Sequence, residues 1–471
     1  MAQTNNLAND LAGNDVLFNY GRAMQKMDEQ GIDAIVGATF TNSYYVSGVR
    51  TLFNEWYFSE PFEAAIVPRD EAKPPTLVTL TAVLPALVGG FPTWMPNVCL
   101  YDWLRIDNTV EPIDEGNSLG ISIQDFIDTR VTGDTENDIV SATVASFRRL
   151  GLTRGRVGFD DLRFGNAIKT ALPDIEVLDA HQLFWEIRKV RTTAEIQRCA
   201  YSARVNQMAM DAVITEMRPG VNWRDLSYLY KDTWVRHGGR CVSDKGLFWG
   251  GKFKGDYIPD TFFMPNNDFE IEAGKYYVLE GEGHVLGYNA DVSRTVFVGD
   301  PSADYLSGVD AVMHAYEAIE NALVPGHSSK EVFKAGLGAM QTHGVPYPDK
   351  TIVLSHGVGL EFVEWYTDFP TQRGYPQSFT LEEGQTIGMD CLYYGHTLGT
   401  FHFENGLLLT GAGPRSFYAP PNTDATFYRG LVVRDGEKVD TYCPPITLNQ
   451  EQGIASEFVY QGSPVPSWGK A

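Results

Sequence analysis

Apolar residues recur along this chain in two rhythms, and the change of rhythm divides it into two parts. In residues 18–30 (FNYGRAMQKMDEQ) they fall at helical spacing, and Gly31 closes the run. Ile32–Ala38 then reads as a buried strand, followed by the aromatic, β-branched stretch Ser43–Val49 and the apolar run Ala64–Pro68. A second cycle predicts a helix over Asp138–Leu150, a strand at Arg156–Phe159, a helix at Phe164–Ala171 and a strand at Ile175–Leu178. This alternation predicts a doubly wound α/β unit, and no residue in it carries convincing chemistry.

Residues 181–192 lead into a long periodic helix, Thr193–Met217, which Pro219 and Gly220 end. Beyond it come strand-like runs at Tyr276–Glu282, Ala290–Val298, Gln385–Tyr393 and Gly399–Leu409, with helices at about 304–323 and 329–342. Strands set among helices in this way predict an α+β domain with a mostly antiparallel sheet. The expected organisation is a smaller domain over residues 1–182 and a larger one over 183–471. The tail from Pro414, rich in Pro, Gly and Asn, is expected to be irregular.

Composition narrows the function classes. The 471 residues, 43% hydrophobic and 21% charged, are those of a folded protein with room for a large core. Sixty acidic residues against 37 basic ones leave a net charge of -23. That charge argues against a nucleic-acid partner and against an anionic membrane surface. Cys99, Cys199, Cys241, Cys391 and Cys443 are scattered, without the spacing of a disulfide framework or a thiolate metal site, so a reducing cytoplasm is the expected compartment. No signal peptide pattern opens the sequence, and no apolar run approaches the ~18 residues that a membrane span needs.

The candidate chemistry lies in the second part. In YYVLEGEGHVLGYNADVSRTVFV two strands flank a Gly-rich connection, so Glu280 is expected to face Asp291 across a hairpin, with Glu282 on the same face as Glu280. His356 in SHGVGL, Asp390 in TIGMDCLYYG and Glu404 in GTFHFENGLLLT each adjoin or lie within an apolar run. Crowded carboxylates in such places need raised pKa values or a bound cation. His402 lies two residues before Glu404, on the same strand face.

In these pieces (GYNADVSRTVFVG, SHGVGLE, LEEGQTIGMD and FHFENGLLLT, in this order) the chain resembles the pita-bread family of creatinase, aminopeptidase P, prolidase and methionine aminopeptidase. The first part, with GIDAIV before NSYYVSG, resembles the smaller α/β domain of creatinase-type members. The resemblance implies a pita-bread C-terminal domain, an antiparallel sheet flanked by helices, and a homodimer. It also implies two divalent metal ions (Mn, Fe, Co or Zn) held by Glu280, Asp291, His356, Asp390 and Glu404. Two of these depart from the family pattern, because Glu280 stands for an aspartate and Asp390 for a glutamate. Either the longer and the shorter acid compensate around a shifted site or they mark its decay; all five remain competent ligands, which favours retention.

Glu282 adds a sixth acid, an arrangement similar to that of the family's dimethylsulfoniopropionate lyases. Family peptidases carry a histidine in the loop before the first ligand strand and another after the ligand histidine. Here WGGKFKGDYIPD has none, and position 363 is Val363. A standard aminopeptidase P activity is therefore not expected. His402, where the family usually has arginine, is a candidate proton-transfer group or a partner of a ligand carboxylate. Glu361 and Glu364 are candidate general bases. Aromatics at Phe53, Trp56, Tyr57 and Phe58, and at Trp365 and Tyr366, suit a core or, alternatively, a cage for a quaternary ammonium or sulfonium group. The leading expectation is a metal-dependent enzyme that hydrolyses a C–N bond in a small polar or zwitterionic substrate. A metal-dependent lyase and a non-catalytic binding scaffold are the alternatives.

Overall fold

The computed structural model describes residues 16–56, 59–89, 93–102, 118–242, 247–248, 268–299, 301–348, 355–365, 378–395, 399–418, 427–428 and 431–434. Tyr57, Phe58, Tyr366, Cys443, residues 249–260 and the residues beyond 434 lie outside the described residues. The chain divides into two compact units, one ending at Arg188 and the other beginning at Lys189.

The first unit is a six-stranded sheet of β1 (Ala34–Gly37), β2 (Ala64–Pro68), β3 (Thr76–Leu80), β4 (Asn97–Tyr101), β5 (Gly155–Phe159) and β6 (Ile175–Asp179), in the order β4-β3-β2-β1-β5-β6. The sheet is mixed, because β2 runs antiparallel to both its neighbours while the other pairings are parallel. Helix Tyr20–Gln30 ends at Gly31 in the left-handed conformation (φ 63°), and helix Ile139–Arg149 is capped by Asp138. The stretch from Ser43, strand-like in composition, is helical over Phe40–Ser47. Its ends explain this: the Thr39 side chain accepts from Asn42 N, and Gly48 closes the helix at φ 77°. Asp160 reinforces the start by accepting hydrogen bonds from Ala38 N, Thr39 N and Asn42 Nδ2. Local capping overrides a weak preference for strand.

The second unit opens with Thr192, which forms a reciprocal capping box with Glu195 and starts the helix Thr193–Glu216. Its sheet contains β7 (Arg240–Cys241), β8 (Leu247–Phe248), β9 (Tyr276–Val285), β10 (Tyr288–Val298), β11 (Ser355–Gly357), β12 (Thr386–Gly395), β13 (Gly399–Thr410), β14 (Gly413–Ser416), β15 (Phe427–Tyr428) and β16 (Leu431–Arg434). The main path runs β11-β12-β13-β10-β16-β15, with β9 on β10, β7 and β8 on β9, and β14 on β13. All pairings are antiparallel except β10 with β16. The expectation of an irregular tail is thus corrected for its described part. The apolar run Leu431–Arg434 adds a strand alongside Thr295–Val298.

The pleat separates the two faces of this sheet. On β9, Tyr277 and Leu279 join Val292 and Val296 of β10 in one apolar cluster with Val205, Ala209 and Val213 of the long helix and Leu226, Tyr230 and Trp234 of helix Trp223–Arg236. The alternate positions of the same strands, Glu280, Glu282, Asp291 and Ser293, point the other way and are also buried. Gly281 and Gly283 let the helix aromatics approach, since a Cβ at 283 would stand 2.4 Å from Trp234 and one at 281 would stand 2.5 Å from the Tyr230 hydroxyl. Helices Ala303–Ala322 and Ser329–Thr342 pack on each other within the unit. No helix among the described residues is long and apolar enough to cross a membrane.

Candidate metal centre

The strand register brings the acidic residues into one row. Asp390 on β12 stands opposite Glu404 on β13, Glu404 opposite Ser293 on β10, and Ser293 opposite Glu280 on β9. Asp291 lies opposite Glu282, one pleat along, so Glu280 is its diagonal neighbour and not its direct partner as the hairpin reading expected. β11 delivers His356 over Gly388, where a Cβ would stand 2.7 Å from the imidazole and 3.0 Å from Glu404 Oε1. Gly388 thus makes room for two of the candidate ligands. His356 Nδ1 lies 3.2 Å from the Gly357 carbonyl, which turns Nε2 towards the acids.

His356 Nε2 is 3.5 Å from Asp291 Oδ2, 3.4 Å from Asp390 Oδ2 and 3.5 Å from Glu404 Oε1. Donors on one tetrahedral ion with bonds of ~2.1 Å are spaced by about 3.4 Å, so these separations suit a shared cation. Three groups have the compactness to hold an ion: Asp291 with His356 and Glu404, Asp390 with His402 and Glu404, and Glu280 with Glu282 and Asp291. All five sequence-derived ligands are in this set, together with Glu282 and His402.

The electrostatics call for positive charge. Asp291 Oδ1 and both Glu404 oxygens are buried and accept no hydrogen bond, and the buried Glu280 Oε2 has only an ion-pair contact, 3.4 Å from His402 Nδ1, among the described residues. Burial raises the pKa of Glu280, of Asp291 and of Glu404, and neighbouring carboxylates add to it. Glu282 is pushed up to about 10, by burial first and by Asp291 next. Burial also opposes ionisation of Asp390, yet His402 and His356 hold it below its ordinary value. Both imidazoles are raised well above theirs, burial being outweighed by the surrounding carboxylates. Oxygen-rich donors with one or two imidazoles and unsatisfied buried lone pairs fit divalent ions.

The other candidates have other partners. Glu364 is buried in an ion pair with Arg191, which also donates to the Val358 carbonyl and to Thr386 Oγ1. Glu361 is half-buried in the turn after β11, where its carbonyl accepts from Gly359 N. Neither belongs to a metal-competent group among the described residues. Trp365 is buried edge-on to Phe379, with ring centroids 4.8 Å apart, which is the core reading of that aromatic. Phe53 stacks on Phe62 in the first unit. Sequence reasoning missed Arg191 and Gly388. The first was marked only by its place beside a capping box, the second only by lying two residues before a candidate acid.

Residues 197–411 match metallopeptidase family M24. A Xaa-Pro dipeptidase of Pyrococcus furiosus is 24% identical over 403 residues, covering 83% of this chain and 94% of the relative. Among solved structures, a dipeptidase from Pyrococcus horikoshii superposes with a TM-score of 0.63 at 16% identity, covering 88% of this chain and 99% of the other. The Xaa-Pro dipeptidase from Bacillus anthracis gives 0.62 at 16% identity, over 88% and 99%. The α+β architecture is that of the pita-bread fold, with a mixed α/β unit before it. Over residues 197–411 this chain is therefore similar to metallopeptidase family M24.

Proposed function

We propose that the second unit is a metal-dependent hydrolase that cleaves a C–N bond in a small polar or zwitterionic substrate. The observation that carries this reading is the convergence of Asp291, His356, Asp390 and Glu404 at ion-sharing distances, with Glu280 and Glu282 beside them. The family supplies the class of bond, since the Pyrococcus furiosus relative bears the name Xaa-Pro dipeptidase. Divalent ions held there would acidify a water and polarise a carbonyl. Glu282, beside Glu280 and Asp291, is the carboxyl placed to exchange a proton at the site, because a cation held there would favour its ionised form and so let it accept and return one. His356 and His402 orient the carboxylates around them.

A specific observation supports a second reading, elimination. Glu282 adds an acid beside the first ligand position, and Val363 leaves one peptidase proton relay absent. Elemental analysis of protein purified without chelator, followed by a panel of amides and dipeptides in 18O-water, separates the readings. Hydrolysis is expected to place 18O in the acid product; an unsaturated product without 18O would favour elimination. Metal content below about 0.2 per chain with Mn, Fe, Co and Zn all supplied would remove both. Xaa-Pro dipeptides are expected to turn over well below the ~1–1000 per second usual for enzymes. Turnover within that range would show that Val363 and the histidine-free loop do not limit the site.

A further inference from the structure

The two acids that depart from the family pattern share one neighbour. His402 Nε2 is 2.5 Å from Asp390 Oδ1, and Nδ1 is 3.4 Å from Glu280 Oε2. All three side chains are buried. Asp390 is thereby divided: Oδ1 accepts from His402, while Oδ2 lies 3.4 Å from His356 Nε2.

Strand geometry explains both departures. Asp390 and Glu404 are cross-strand partners, and His402 is two residues from Glu404 on the same face, so the ring lies diagonally across from Asp390. With only 2.5 Å between ring and carboxylate, an extra methylene at 390 would drive the carboxylate into the imidazole. Glu280 approaches from the other side. β10 lies between β9 and β13, and two strand spacings amount to roughly 9.5 Å. The residue crossed is the small Ser293, and the longer acid at 280 supplies the reach.

We propose that His402 is a positioning residue that fixes Glu280 and Asp390 as a pair and aims Asp390 Oδ2 at the His356 cluster. The three positions therefore form one unit, in which the long acid, the short acid and the imidazole depend on each other. This deepens the proposed metal centre, but it concerns the placement of ligands and not the reaction.

The test is a double-mutant cycle on metal affinity with Glu280→Asp, Asp390→Glu and their combination, using Zn2+ or Mn2+ alone as probe, in the parent protein and again with His402→Gln. In the parent, the two changes are expected to be non-additive by about 2- to 160-fold in dissociation constant, the range for residues sharing a partner. With His402→Gln that coupling is expected to vanish. Additive single changes in the parent, or coupling that persists unchanged without His402, would overturn the proposal.

A second measurement covers a variant that does not fold. In metal-free protein labelled with 15N-histidine, Glu280→Asp and Asp390→Asn are each expected to move the His402 ring nitrogen signals. If both leave them in place, the proposal fails. Failure of every form to bind metal would sink the hydrolase reading, and the ring signals would still decide the role of His402.

Discussion

At the scale of the residue, the fold buries carboxyl groups whose ionised form burial and neighbouring acids disfavour. Burial first and Asp291 next push the Glu282 carboxyl from its ordinary value of 4.5 up to about 10 in the fold. Between these values the folded state binds more protons than the unfolded state, so stability falls as pH rises. For one such group the slope is at most about 1.4 kcal/mol per pH unit. Chelator-treated protein is therefore expected to lose thermal stability from pH 6 to 9, and metal-loaded protein is expected to lose much less. Metal binding at pH 7 should also release protons, which calorimetry in buffers of different ionisation enthalpy detects. Melting curves that are parallel with and without metal would contradict both.

At the scale of the element, what the sequence made legible was what depends on period. Two-residue alternation places Glu280 with Glu282 and His402 with Glu404 on one face, and the structure keeps both pairs together. Register was not legible. Nothing local says that Asp291 stands opposite Glu282, because the hairpin turn fixes that pairing. Nor could the apolar pattern show that Leu431–Arg434 returns to β10, since a short strand is held by its partner and not by its own propensity. Glycines were the least readable. Gly283 makes space for Trp234 on the helical face, whereas Gly388 makes space for His356 and Glu404 on the acidic face. The two faces predict opposite phenotypes. Gly283→Ala should destabilise the fold by about 1–3 kcal/mol in denaturant titrations, from overpacking. Gly388→Ala should chiefly weaken metal binding; equal loss of stability and affinity in both would refute the division of faces.

At the scale of the whole molecule, the second unit is tied together across long stretches of sequence by a buried cation. Arg191 N donates to the Gly384 carbonyl, and its guanidinium meets Thr386, Val358 and Glu364, joining the approach to the long helix with β12 and the turn after β11. Glu195 lies 3.6 Å from the same guanidinium and is pushed up to about 7, burial being the chief cause. One cation thus faces two carboxylates. Arg191→Met is expected to cost about 3–5 kcal/mol by leaving buried charge uncompensated, and adding Glu364→Leu should recover much of it. Chemical denaturation of the parent and the two variants measures this; a single Arg191→Met variant as stable as the parent would show that the pair does not brace the turn. The same cation changes where the working unit begins. Arg191 stands upstream of 197, the first residue of the family match, so the family match and mechanical integrity have different borders. A chimera spliced at residue 197, where the family match begins, would inherit every candidate ligand and lose the keystone that holds the turn behind His356, whereas a splice made before Lys189 would carry it across.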